Sequence, residues 1–367
     1  MKRLREIPVW VIPAAVFAVI LILFLAVSPA VGLAVAGVVL AVTVVRFAGW
    51  GRLLQIGIVI VLVMFFVSML IRLLPGDPTN NLIPFSTAEQ RADLREELGL
   101  NDPVYVQFPD FLQDFFTGDT NYYQSTGQAV NGRPVWDQLS EAIPVSLQLI
   151  LYAQLVALLF AIPLGVYTAY RAGTRTDKAF NTVAFAFISL PSFVLAYFLV
   201  YLLAVERDYF PVSGYVPFGA DPAEHFKSMF LPVVCLAAGQ VAVYMRLLRS
   251  DMIQTLQEDF ITMARSKGLS TRRILIRHAL RPSSFTLLTV AAINVGALIS
   301  GAVVLEVIFQ LPGVGLMIFD AIRERQYVAL QTLVGLIAIA YVTLNVIVDL
   351  LYTVLDPRIR SARAART

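Results

Sequence analysis

Two histidines and one cysteine in 367 residues leave this chain almost without the side chains that build metal centres and disulfides. Cys235 has no partner for an intrachain bridge, and His225 and His278 offer no metal-ligand spacing. No Gly-Lys dipeptide occurs, so a Walker A phosphate loop is excluded. No nucleophile–base constellation or Rossmann fingerprint is present either. No catalytic residue and no metal ligand is assigned, and ATP hydrolysis by this chain alone is not expected. Charge is also scarce, at 14% of residues against 58% hydrophobic, where soluble domains carry about 25% charged. The composition is that of a membrane protein.

What the chain has instead is a series of charge-free runs. They cover Ile7–Val45, Leu53–Ile71, Ala142–Tyr170, Ala179–Val205, Ser228–Met245, Pro282–Leu305 and Gln326–Val348, and a span needs about 20 apolar residues. The first run, 39 residues, is too long for one crossing. Ser28-Pro29 lies near its middle, and proline removes a helix hydrogen bond, so the run is split into a helical hairpin. Eight helices are predicted, the second from about Ala30 to Phe47. Lys2, Arg3 and Arg5 also fit the n-region of a cleaved signal peptide. The run is far longer than an h-region and continues into a second span, so a retained hairpin is expected.

Orientation follows from the Lys/Arg bias. With the N-terminus in the cytoplasm, 20 of the 28 basic residues fall inside, and 18 of the 25 acidic residues fall outside. An even number of spans returns Arg358, Arg360, Arg363 and Arg366 to the cytoplasm. The net charge of +3 is therefore the sum of two opposed faces and not a nucleic-acid signature.

The most charged stretch between spans is Asp259–Pro282. It reads as two short helices. The first ends near Lys267 with Gly268 as a left-handed C′ residue, Ser270 or Thr271 caps the second, and Pro282 closes it. Ile261, Ala264, Leu269, Ile274, Leu275 and Ala279 supply an apolar face for docking. Taken as basic residues alone, this would be an ordinary positive-inside loop. Two further segments lie outside the spans. Pro75–Glu141 is a long external region with one predicted helix around Thr87–Leu98, and Glu206–Lys227 is a shorter external loop rich in Pro and Gly.

Several separated motifs recur in a known order. They are Arg72-Leu73-Leu74-Pro75-Gly76-Asp77-Pro78, Glu97-Leu98-Gly99-Leu100-Asn101-Asp102-Pro103, Ser189-Leu190-Pro191-Ser192-Phe193, Arg246-Leu247-Leu248-Arg249-Ser250, the Asp259–Arg281 segment, Gly301–Glu306, Pro312-Gly313-Val314-Gly315 and Leu355-Asp356-Pro357-Arg358. From about Leu53 to Arg360 the chain thereby resembles the permease subunits of peptide-type ABC importers (the dipeptide, oligopeptide and nickel branch). Asp259–Arg281 resembles their cytoplasmic EAA loop. The general Glu-Ala-Ala-x-x-x-Gly pattern is represented by Thr262, Met263, Ala264 and Gly268, without the acidic residue. The family's Gly-Asp-Phe-Gly element appears only as Gly118-Asp119-Thr120-Asn121, within a polar insert at 117–134.

The resemblance implies an all-α integral membrane protein with three parts. These are a two-helix extension over 1–51, a six-helix permease domain over 52–360, and a basic tail over 361–367. Within the permease domain, 75–141 would be external and 250–281 would form the coupling loop. It implies an importer in a bacterial or archaeal cytoplasmic (inner) membrane, with both termini cytoplasmic. The partners implied are a second homologous permease, two ABC ATPase subunits that bind ATP and Mg, and an extracytoplasmic binding protein delivering a peptide-like solute. No cofactor is expected in this chain. For ATPase docking it points to Asp259, Ala264, Arg265, Lys267, Gly268, Leu269, Arg272, Arg273 and Arg277.

Polar residues in spans are functional candidates because an unpaired one is costly in lipid. Gln148, Gln154, Gln240, Asn294, Asn345 and Asp349 qualify. Interhelical hydrogen bonding is expected for Gln148, Gln154 and Asn345. Ser189, Pro191, Asn294 and Ser300 are candidates for the translocation path or a gate, with helix packing as the competing reading. Pro191 reads either as a kink or weak point in its helix or as an ordinary tolerated proline. Glu306, at an outer helix end, reads as a solvated cap. Cys235 reads as a small core residue. The rival function is a self-sufficient secondary carrier or channel, for which buried coupling-ion residues and inverted repeats would be expected.

Overall fold

The computed structural model describes residues 50–72, 87–97, 101–117, 135–324 and 326–355, with no strand among them. The all-α fold class is therefore as expected. The N-terminal hairpin up to residue 49, the motif over 73–78, the insert over 118–134 and the tail over 361–367 lie outside the described residues, so the count of eight spans extends beyond them.

Helix starts follow from local chemistry. Helix α1 spans Trp50–Arg72 and α2 spans Ala88–Glu97. α2 opens on a reciprocal capping box: the Thr87 hydroxyl accepts from Gln90 N–H, and the Gln90 side chain accepts from Thr87 N–H. A further helix, α3 (Val104–Thr117), follows within the stretch expected to hold only one. Helix α4 runs over Val135–Tyr170, so residues 135–141 continue straight into a span. Helices α5 (Arg175–Ser189) and α6 (Ser192–Leu199, extended by a π turn Val200–Val205) follow. Helix α7 (Pro222–Thr255) starts six residues before the charge-free run, because Asp221 caps it and Pro222 takes its first position. The remaining helices are α8 (Asp259–Ser266), α9 (Thr271–Arg273, continued by a π turn Ile274–Ala279), α10 (Leu280–Phe309), α11 (Val314–Arg323) and α12 (Tyr327–Leu355).

Three of these are long and apolar enough to cross a membrane: Val135–Tyr170, Pro222–Thr255 and the continuous Thr271–Phe309. The pair Arg175–Ser189 and Ser192–Val205 makes a fourth if read as one broken span. Shorter apolar stretches cover Leu54–Met69 and Ala329–Leu344.

The chain forms two compact units. In the unit built from residues up to Ala142 and from Met317 onward, α1 packs along α12. Met64 is buried there with Phe111 and Phe115 of α3, and the Gln331 amide donates to the Ser68 hydroxyl.

The unit from Ile143 to Leu316 holds the larger core. α7 is its central helix, packed against α5, α6 and α10. α4 turns inward a stripe that repeats every four residues, from Val145 and Leu149 through Ala153, Ala157 and Ala161 to Gly165 and Ala169. At Gly165 an added Cβ would stand 3.0 Å from the Leu248 side chain, so the small residues on this stripe let backbones approach. The 206–221 loop is tied down: Tyr215 donates to Gln148 and Gly214 N–H reaches the Phe309 carbonyl. His225 is fully buried, with Nδ1 2.7 Å from the Val216 carbonyl and Nε2 3.3 Å from the Tyr152 hydroxyl. It is a satisfied core histidine.

Candidate functional site: a basic hairpin and a broken span

The segment 259–281 folds as a helix–glycine–helix. Its turn is a complete Schellman closure, in which Gly268 N–H bonds to the Arg265 carbonyl and Leu269 N–H to the Ala264 carbonyl. Gly268 sits at φ +73, where a side chain would be strained. The second helix does not end at Pro282 as the sequence suggested. It continues through a π turn into α10, giving one 39-residue helix. Leu280 N–H bonds five residues back to the Leu275 carbonyl. This widened turn absorbs the proline, which stands third in α10 and has no N–H of its own to place.

The hairpin's faces also differ from expectation. Ile261, Ala264, Ile274 and Ala279 are buried in the chain's own core, with Leu269 and Leu275 half-buried beside them. That apolar stripe fastens the hairpin to the unit and is not a free docking face. Phe260, Met263 and Ile276 are the exposed apolar residues instead. Asp259, Arg265, Lys267, Gly268, Arg272, Arg273 and Arg277 are all exposed, whereas Ala264 is not. Beneath the hairpin a cavity of about 520 Å³ opens between Tyr170, Leu256, Gln257, Arg265, Leu269 and Ile274.

The same end of the unit carries an ion pair that the sequence reading missed. The Asp177 carboxylate accepts from Arg249 Nε and Nη2 at 2.6 and 2.7 Å, from Gly173 N–H at 2.8 Å and from the Asn181 amide at 2.8 Å. Thr174 caps the same turn by accepting from Asp177 N–H. Three residues before Arg249, Arg246 stands over the Phe185 ring, 3.8 Å from its centroid.

Of its two readings, Pro191 is the kink or weak point and not an ordinary tolerated proline. The helices on its two sides meet at 100°. A cavity of about 200 Å³ lies at this break, lined by Leu190, Ser192, Cys235, Gln240, Ala297 and Gly301 among others. Ser189 and Pro191 are exposed at the break, and Ser300 is exposed on α10. Asn294 packs: its amide donates to the Gln240 side-chain oxygen at 3.1 Å. Tyr244, fully buried, bonds to both Asn294 and Gln154, and Gln154 donates to the Ala291 carbonyl. Gln154 thus makes the interhelical bonds expected of it, and Gln148 holds Tyr215. The Asn345 and Asp349 side chains lie outside the described residues.

Glu306 is the other correction. It is 1% exposed, not a solvated cap. The turn after α10 folds back over it, so that Gly315 N–H donates to its carboxylate at 2.6 Å and Leu316 N–H and Ser146 also bond to it. Ser146 in turn accepts from Val314 N–H at 2.9 Å. The glycines of Pro312-Gly313-Val314-Gly315 are there for space. A Cβ on Gly313 would collide with the carboxylate, and one on Gly315 would stand 2.5 Å from Val303 Cα. Gly315→Ala is therefore expected to destabilise the unit by about 1–3 kcal/mol. Thermal unfolding of the detergent-solubilised chain measures this, and an unchanged midpoint would show that the turn relaxes freely.

Comparison with known proteins comes from the chain as a whole. Residues 161–361 match the family described as "Binding-protein-dependent transport system inner membrane component", and residues 44–150 match its N-terminal component. A probable peptide ABC transporter permease protein of Sinorhizobium fredii is 35% identical over 310 residues, covering 84% of this chain and 97% of that one. A di/tripeptide transport system permease protein of Pseudomonas aeruginosa is 33% identical over 316 residues, covering 80% and 93%. A glutathione transport system permease protein of Shigella flexneri is 31% identical over 304 residues, covering 83% and 94%.

Proposed function

Because this chain belongs to the binding-protein-dependent transport system inner membrane component family, we propose how its geometry serves a transport cycle driven by partner subunits. It is a multi-pass inner membrane protein and the permease subunit of an ABC importer for peptides. The comparisons give the secondary-carrier reading no support. Its partners belong to an ABC system, with a substrate-binding protein and an ATPase.

In the proposed assembly this chain pairs with a second homologous permease, and two ATPase subunits bind ATP and Mg. The 259–281 hairpin faces the cytoplasm with both termini, and it docks on an ATPase. Gly268 shapes the turn. Arg265, Lys267, Arg272, Arg273 and Arg277 form the basic rim, and Phe260, Met263 and Ile276 supply apolar contact. The observation that carries this reading is the hairpin's attachment. It is buried into the core through Ile261 and Ala264 and runs unbroken from Thr271 to Phe309. A push on such a hairpin is passed to a span as rigid-body motion, the kind of bistable repacking that alternates access. A loose loop would absorb it.

The test is affinity purification of the tagged chain in mild detergent, with co-eluting proteins identified by mass spectrometry. Recovery of a second permease and Walker-motif ATPases is expected. A chain that purified alone and moved solute without ATP would overturn the assignment.

A further inference from the structure

The break at Leu190-Pro191 leaves backbone groups open inside an otherwise apolar helix pair. The closing carbonyls of α5, from Phe187 to Leu190, have no acceptor role left in their own helix, and Pro191 brings no N–H. Among the described residues no other backbone donor reaches those carbonyls. On the far side, α6 begins with Ser192 and Phe193, and its first internal bond is Val194 N–H to the Pro191 carbonyl. At membrane depth such open backbone is tolerated only against protein or a polar-filled cavity. The cavity of about 200 Å³ lies there, and Phe187, Ile188, Leu190 and Ser192 are part of its wall.

The opposite wall is supplied by α7 and α10, and its polar member is Gln240. Gln240 is oriented from behind. Its oxygen is taken by the Asn294 amide, and Asn294 is held in turn by Tyr244, which Gln154 anchors. With the oxygen committed, the Gln240 NH₂ group has no acceptor among the described residues. The cavity therefore presents an amide donor, the Ser192 hydroxyl and open backbone carbonyls. The rest of its wall is apolar, and no charged side chain lines it.

A ligand that complements this wall carries both acceptors and donors, has no net charge at the point of contact, and has apolar flanks. We infer that the cavity at the Leu190-Pro191 break is a transient subsite for the uncharged main-chain amide of a passing peptide, with Gln240 donating to its carbonyl and Ser192 completing the contact. This rests on the peptide-importer reading. The subsite excludes the charged chain termini for want of any countercharge. It reads backbone rather than side chain, and at about 200 Å³ it holds only part of a ligand, below the 300–1,000 Å³ of sites that enclose one.

The experiment uses the complete importer, reconstituted with its partner subunits and binding protein in proteoliposomes, and radiolabelled trialanine as the probe. Gln240→Leu is expected to lower trialanine transported per ATP hydrolysed about tenfold, the worth of one well-formed hydrogen bond in a site. A second variant guards against misfolding. Ser192→Cys, in a Cys235→Ala background, is expected to react with a methanethiosulfonate reagent and to be protected several-fold by trialanine. Thr286→Cys, exposed on α10 outside the cavity wall, is expected to show no protection. Wild-type transport with an unaffected Gln240→Leu and an unprotected Ser192→Cys would overturn the subsite and leave the importer reading standing. A wild-type complex that hydrolyses ATP yet moves neither trialanine nor other short peptides would overturn the peptide reading, and the subsite with it.

Discussion

Gly268→Pro is expected to abolish recovery of ATPase subunits with the purified chain and to reduce ATP-driven uptake to background, while membrane insertion stays intact. The native residue sits at φ +73, and proline is fixed near −65°. The substitution also removes the Gly268 N–H that bonds to Arg265. Both halves of the Schellman closure are then lost, because Leu269 N–H reaches Ala264 only when the chain reverses at 268. A proline placed against its preferred backbone costs about 3 kcal/mol or more. That strain falls on a surface turn, so the core of the unit survives and the hairpin does not. Gly268→Ala provides the graded control. It keeps the N–H and meets nothing within 4 Å. Only the left-handed backbone penalises it, by roughly 1–2 kcal/mol. Partial ATPase recovery is expected for alanine and none for proline. Equal, wild-type recovery from both would refute the coupling role of the turn.

This turn was legible in the sequence because glycine after a basic last turn has few other uses. Pro282 was misread for a related reason. Proline usually stops helices, but here it falls in the first turn of α10, and the π turn before it removes the conflict. Nothing in a hydrophobicity pattern announces a π turn. Glu306 looked like a solvated cap because it lies near the end of an apolar run. Its real partners are backbone N–H groups on a turn that folds back nine residues later. The two glycines in Pro312-Gly313-Val314-Gly315 were the available signal, since backbone brought that close to a side chain leaves no room for a Cβ. Pro191 left a kink or weak point and mere tolerance both open, and the 100° break is the first of these in extreme form. The choice depended on whether neighbouring helices leave a cavity for the open backbone, which is a tertiary fact. Asp177 was invisible among the basic residues of its turn. Its partner lies 72 residues away, and no local pattern links them.

Asp177→Ala is expected to cost about 3 kcal/mol of stability, the second of the large effects. The carboxylate is nearly fully buried and receives four donors, two of them from one guanidinium. Removing it leaves the Arg249 charge partly buried without its partner, and the Gly173 N–H without an acceptor. The surrounding chemistry separates that loss from simple loss of packing. Replacing both members, as Asp177→Ala with Arg249→Met, removes the stranded charge along with the bond, so the double variant is expected to be more stable than the sum of the singles by about 2 kcal/mol. Thermal unfolding of the four proteins of the cycle measures this coupling, and a value indistinguishable from zero would reduce the pair to proximity. The position of the pair gives it a second readout. It clasps the start of α5 to α7 a little under two turns before α7 ends at Thr255. The hairpin begins four residues beyond. A hairpin that transmits force needs its base fixed. Variants that open the clasp are therefore expected to hydrolyse ATP in the complex yet move less solute per ATP, and the charge-free double variant is expected to recover part of that loss.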